Sequence, residues 1–181
     1  MINSPLNIIA RWMRARGIRR NNVTVERVLK AANRHIRKRR FCTVITNGVD
    51  GIQARVVQQF PPKDDNFVIR FGTSLVSRKA RQIEETGQAV LVYEDDRRGL
   101  CVTVYCHAAI NKNLDARKRW FVPIFAAYWP EGPSSPDFVV IECCPYVIEV
   151  WDYRSGLTPL PFGLKSARIE LRDEKWFVAS D

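Results

Sequence analysis

The sequence has only two histidines, His35 and His107, which lie far apart, and no CxxC pair. Those absences remove the ordinary zinc-ligand sets. No apolar run approaches the roughly 18 residues that a bilayer-spanning helix needs. The apolar stretch Leu6 to Ala10 is shorter than the ~7–15 residues of a secretory h-region, and arginines follow it rather than a small-residue cleavage site. A GxGxxG fingerprint is missing, as is the strand–helix alternation of a Rossmann sheet. Acid is nearly absent from the first 40 residues, where Glu26 stands alone against 12 basic side chains. The rest of the chain holds 17 basic and 18 acidic groups, so the net charge of +10 resides in the first 40 residues. A near-neutral body excludes a nucleic-acid-binding fold with one whole basic face.

The 181 residues, 46% hydrophobic and 27% charged, suit one globular domain over 22–181 preceded by a basic arm over 1–21. Cys42, Cys101, Cys106, Cys143 and Cys144 are odd in number and two are adjacent. They read as reduced thiols, small buried residues on the strands of a cytoplasmic protein. The arm sets Arg11, Arg14, Arg16, Arg19 and Arg20 around Ile8, Ile9, Trp12 and Met13. Two readings stay open: a weakly amphipathic helix on an anionic surface, or a tail that packs its Trp onto its own domain.

Thr24 caps a helix predicted from Val25, with Val25, Val28, Leu29, Ala32 and Ile36 on one stripe. The run Arg37 to Arg40 closes it where cations suit the dipole, and His35 is expected on its surface. From Phe41 the pattern turns to short strands. Residues 41–46 and 52–59 form a hairpin across NGVDG, a PKDDN loop follows, and 67–73 alternates as a half-buried strand. A helix runs from Ser77 to near Gly87; 89–94 and 100–110 make a second hairpin. Residues 113–125 are helical up to a break at Pro123, strands follow at 138–143 and 146–151, and a small hairpin pairs 166–171 with 175–179. The sum is a mainly β chain: six or more short strands interrupted by two or three helices, an antiparallel barrel with helical attachments.

Chemistry concentrates in FGTSLVSRKARQI, residues 71–83. A strand ends, a turn follows, and a helix begins with Ser77, Arg78 and Lys79. A helix start exposes unpaired amides at the positive end of its dipole, where two added cations are unfavourable by about 0.3–1 kcal/mol each unless an anion arrives. Ser77 as a plain cap with two solvated cations is the alternative. Arg55, a cation within the apolar strand IQARVV, suits a second anion or ring contact, or points outward.

The runs ARVV (54–57), FVIRFGTS (67–74), SRKARQI (77–83), VLVYED (91–95 for its core) and IEVWD (148–152), in this order, resemble the pyridoxamine 5′-phosphate oxidase-like, flavin-binding split-barrel family. The lead-in helix and the YWPEG loop resemble its general stress protein subgroup. The resemblance implies a six-stranded antiparallel split β-barrel of Greek-key topology with two to four peripheral helices, and a homodimer with FMN in a cleft between subunits. It implies that Arg55, Val56 and Val57 lie along FMN, that Gly72 and Thr73 form the turn at its ribityl chain and phosphate, and that Arg78 and Lys79, preceded by Ser77, hold the phosphate. It also implies that Trp151 of the partner subunit meets the flavin edge; core packing or a dimer contact are equal alternatives for that ring.

The departures argue against pyridoxamine phosphate as substrate. The Arg-Leu-His run after the tryptophan is replaced by Asp152-Tyr153-Arg154-Ser155-Gly156-Leu157, Phe60 stands where a basic residue ends the Arg-x-Val strand, and the glutamine expected near Leu100–Cys101 is absent. The reading is an FMN-binding protein, a candidate oxidoreductase of unassigned substrate with no catalytic residue identified and no metal. The competing reading is a non-catalytic dimeric module whose basic arm contacts nucleic acid or anionic membrane. A deazaflavin or haem in the same barrel is a third.

Overall fold

The computed structural model describes residues 5–62, 67–159 and 163–179. Helix α1 (Pro5–Arg20) and helix α2 (Val25–Arg37) precede a two-strand hairpin, β1 (Phe41–Gly48) and β2 (Gly51–Phe60). Strand β3 (Ile69–Ser74) leads into helix α3 (Arg78–Thr86), then β4 (Gln88–Asp95), β5 (Leu100–Asn111) and helix α4 (Leu114–Trp120). The long strand β6 (Phe138–Asp152) and the hairpin β7 (Ala167–Arg172) and β8 (Lys175–Val178) complete the chain. The loop expected over 63–66 lies outside the described residues.

The strands pair antiparallel in the order β3-β2-β1-β4-β5-β6, and β3 pairs β6 to close a six-stranded barrel. Closure works because β6 is long enough to serve two neighbours on one edge. Phe138 to Cys143 bond β3, whereas Val147 to Val150 bond β7. The sequence pattern predicts two strands here, interrupted at Cys144–Pro145; instead one strand of 15 residues runs through. Tyr105 faces Val147 and Cys106 faces Pro145, so Tyr146 is an extra residue, a bulge. Such an irregularity is where a sheet tolerates proline. In the last turn Asp173 (φ 47) and Glu174 (φ 61) are both left-handed, the geometry a two-residue hairpin demands.

Alternate residues of each strand fill the barrel: Val44, Leu91, Val102, Val104 and Ile148 are fully buried. Each such aliphatic side chain contributes about 1.5–3 kcal/mol of transfer free energy. Helix α2 joins the same core through Val28, Ala31, Ala32 and Ile36, and Thr24 Oγ1 accepts from Arg27 N as its cap. His35 departs from expectation. It is 6% exposed, because Ala31, Ala32 and Ile36 on the same face carry it into the packing. Three of the cysteines, Cys42, Cys106 and Cys143, are buried, Cys101 is half-buried and Cys144 exposed; all are free thiols.

A second core, outside the barrel, is aromatic: Phe60, Trp120, Phe125 and Phe138, with Phe121 and Trp129 against them. Helix α4 ends at Trp120, before Pro123, and a short 3-10 turn covers Pro123–Ala127. Arg117 ties this unit down by donating to Pro133 O at 2.6 Å and Ser135 O at 2.7 Å. No described helix is long and apolar enough to cross a membrane.

Candidate functional site

Helix α3 begins as the sequence pattern requires. Ser77 is its cap, Ser77 Oγ accepting from Ala80 N at 3.3 Å. Gly87 ends it at φ 66, where a left-handed residue closes the last turn by donating to Ile83 O at 2.8 Å. The turn before the helix is fixed from two sides. Thr73 Oγ1 lies 3.3 Å from Ser77 Oγ. Across the turn, Asp137 Oδ1 accepts from Ser74 Oγ at 2.9 Å and Asp137 Oδ2 from Trp129 Nε1 at 3.4 Å.

A cleft of about 530 Å³ opens at this corner. Its near wall is β2, at Val56, Val57 and Gln58, and β3, at Gly72, Thr73 and Ser74, with Lys79 at the start of α3. The far wall is Phe125, Tyr128, Trp129 and Asp137. Gly72 has a packing reason to lack a side chain: a Cβ there would sit 2.8 Å from both Phe125 Cε2 and Phe138 Cε2. Its backbone can therefore face the cleft while the aromatic core closes directly behind it.

Arg55 is half-buried beside this corner. Its guanidinium donates to Thr46 Oγ1, to Gln53 O and Gln53 Oε1, each at 3.1 Å, and to Gln82 Oε1 at 3.1 Å. Every acceptor is a neutral oxygen. Burial, and secondly the charge of Arg78, push the Arg55 pKa below its ordinary value. Burial, then the charge of Arg55, likewise lower that of Lys79. Among the described residues neither Arg78 nor Lys79 meets a carboxylate. Three cations within electrostatic range of one another, none of them ion-paired among the described residues, leave the corner positive, with Asp137 across the cleft and Asp50 and Glu85 beside Arg78 as the nearby carboxylates.

Of the residues expected at a flavin, Val56, Val57, Gly72, Thr73 and Lys79 line one cleft; Ser77 meets Thr73 at its edge, Arg55 lies within electrostatic range of Lys79 and Arg78, and Arg78 itself lines a smaller neighbouring hollow with Asp50, Arg81, Gln82 and Glu85. Trp151 is not among them. It lies opposite Cys101 on the β5–β6 ladder, packs over Gly99 and donates from Nε1 to Gly163 O at 3.1 Å. Sequence reasoning missed Thr46, Gln53 and Gln82, which position Arg55, and the aromatic far wall. Gln82 was within reach as a signal, since it follows Arg78 by one helical turn in SRKARQI. His107 is exposed on β5, its ring 4.6 Å from that of Tyr146 and tilted 31° to it.

Crystal structures of this shape are known. A protein related to general stress protein 26 of Bacillus subtilis, from Clostridium acetobutylicum, superposes with a TM-score of 0.67 at 15% identity, covering 82% of this chain and 97% of its own. The general stress FMN/FAD binding protein of Xanthomonas citri gives 0.62 at 14% identity, covering 71% and 91%. A pyridoxamine 5′-phosphate oxidase-related, FMN binding protein of Nostoc punctiforme gives 0.56 at 17%, covering 84% and 92%. At these identities the likeness shows the fold. No curated protein matches the sequence. The family model described as pyridoxamine 5′-phosphate oxidase like matches residues 29–175, which span the barrel and the cation corner, and the chain therefore belongs to that family.

Proposed function

We propose that this protein binds FMN in the cleft, with the phosphate at the corner of Arg55, Arg78 and Lys79, and works as a flavin-dependent oxidoreductase. The observation that carries this reading is the guanidinium of Arg55, held by neutral oxygens alone beside two further cations. A phosphate dianion supplies the missing counter-charge, and hydrogen bonds to charged groups contribute about 1.5–3 kcal/mol each. The hydroxyls of Thr73 and Ser77 and the free amides of the first turn of α3 add neutral donors. Val56 and Val57 offer an apolar strand surface for a ring, with Gly72 letting main chain come close.

A homodimer fits the outer face of the barrel. Ile52 is 77% and Val56 68% exposed, and Ile45, Val90 and Val92 lie half-buried on the neighbouring strands. An apolar sheet face of this kind suits a second subunit. In that dimer Trp151 of the partner subunit meets the flavin edge. The bound isoalloxazine supplies the hydride or electron transfer, and the chain supplies binding, orientation and charge. Support for a flavin also comes from the Nostoc and Xanthomonas proteins, described as FMN and FMN/FAD binding.

The test is the visible absorption of the purified protein and its titration with FMN. Flavin bands, or saturable quenching of added FMN fluorescence, are expected. A colourless protein that leaves FMN fluorescence unchanged contradicts the reading.

A further inference from the structure

The family model begins at residue 29, and the Clostridium structure is matched over 97% of its length by 82% of this chain. Helix α1 therefore lies outside what the family model covers. On it, Leu6 to Arg16, Ile18 and Arg19 are all exposed. Among the described residues its cations meet no carboxylate: Arg16 lies over the Trp12 ring and Arg19 donates to Ala15 O within the helix.

The arginines are placed symmetrically about Ala15. Arg14 and Arg16 stand one residue either side of it, Arg11 and Arg19 four residues either side. At about 100° per residue, these offsets put Arg11 and Arg19 roughly 40°, and Arg14 and Arg16 roughly 100°, to the two sides of the Ala15 direction. The result is a narrow strip of Ala15 and Ile8 between two rows of guanidinium groups, with Trp12 set within one row and Ile18 within the other. Beyond α1 the sign is continued by exposed Lys30, Arg34 and Arg37 of α2 and by Lys38 at its end.

Two cationic rows flanking a slim strip complement a groove walled by phosphates on both sides. The major groove of B-DNA, about 12 Å wide, admits one α-helix, whereas the A-form RNA groove is too narrow and deep. A membrane surface is a poorer match, because it asks for one continuous apolar face. Here Ile8, Ile9, Trp12 and Ile18 are interleaved with the arginines around the axis, and Leu6, Ala10 and Met13, opposite Ala15, make the one short apolar patch clear of Arg11, Arg14, Arg16 and Arg19. We infer that α1 is a DNA-binding helix that lies in the major groove of duplex DNA with the Ala15 strip inward, holding the phosphates through Arg11, Arg14, Arg16 and Arg19. Binding is to the backbone, and it is separate from the flavin cleft.

The experiment titrates the full-length protein into a fluorescein-labelled DNA duplex of about 20 base pairs and follows anisotropy with salt. Four phosphate contacts give a salt slope near −3.6, or about 100-fold weaker binding between roughly 50 and 200 mM. The variant R11Q/R14Q/R16Q/R19Q is expected to lose most of that slope and at least ~30-fold in affinity at the lower salt. Its melting temperature should match the parent's, since these side chains are exposed. Equal DNA affinity in the variant, absence of binding by the parent, or binding to phosphatidylserine vesicles with a blue-shifted Trp12 emission but not to DNA, each overturns the inference. Flavin retention, read on the same samples, is independent of these outcomes.

Discussion

Arg55 on β2 donates from Nη2 to Gln82 Oε1 on α3 at 3.1 Å, and Thr46 Oγ1 donates to the same oxygen at 2.5 Å. One amide oxygen thus ties the strand's cation to the helix that opens the cleft. Because that oxygen is neutral, it orients Arg55 without cancelling its charge. The substitution Gln82→Glu should separate these two roles. It gives Arg55 a permanent counter-ion, so the flavin-free protein should melt at a higher temperature while FMN affinity falls by about 10-fold or more. Thermal melts and FMN titrations of the same variant check both signs; tighter FMN binding contradicts the assignment.

Gly72→Ala tests the packing behind the cleft. No left-handed φ is involved, so the effect is one of space: the new methyl meets the Phe125 and Phe138 rings at 2.8 Å. Overpacking of this kind costs about 1–3 kcal/mol. Denaturant unfolding should show that loss, and FMN affinity should drop with it, because Phe125 also lines the cleft.

Lys79 gives a pH signature of two opposite signs. In the flavin-free fold its pKa lies below the ordinary lysine value, by burial first and by Arg55 second. The unfolded chain then binds the proton more tightly, so stability rises as the pH climbs through the lowered pKa toward the ordinary one. Denaturation at a series of pH values rising toward the ordinary lysine pKa, about 10.4, should show this gain in the parent and not in Lys79→Gln. A docked phosphate prefers the ammonium, so FMN affinity should instead fall over the same window.

His35 carries a separate acid sensitivity. Burial, then the nearby Arg39, lower its pKa from the ordinary 6.5, and its Nε2 has no hydrogen-bond partner among the described residues. A depressed histidine pKa leaves stability intact above the unfolded value, and stability is lost as the pH falls through 6.5 toward the folded one. His35→Gln should flatten that part of the curve, measured by urea unfolding at a series of pH values.

Local signals carried much of this structure. Thr24 and Ser77 as caps, Gly87 as a left-handed terminator and the two hairpins at 41–60 and 88–111 are written in neighbouring residues, whose physics does not depend on the rest of the chain. The closure of six strands into one barrel came only through family resemblance. The continuity of β6 was less legible because Pro145 reads locally as a break, and only the bulge at Tyr146, opposite Tyr105 and Cys106 of β5, lets the sheet run through it. His35 was misplaced because its burial depends on what α2 packs against. In the candidate site, the cations of SRKARQI announced themselves by opposing their own helix dipole. Gln82 and the wall of Phe125, Tyr128 and Trp129 did not, since their contact with the site exists only after β3 and β6 have paired.

The most direct test of the account is the FMN dissociation constant of the parent beside that of the Arg78→Ala/Lys79→Ala variant. Two charged contacts removed should weaken binding by at least ~100-fold while the fold, read by circular dichroism, is kept. Equal affinity in a folded double variant contradicts a phosphate held at the start of α3.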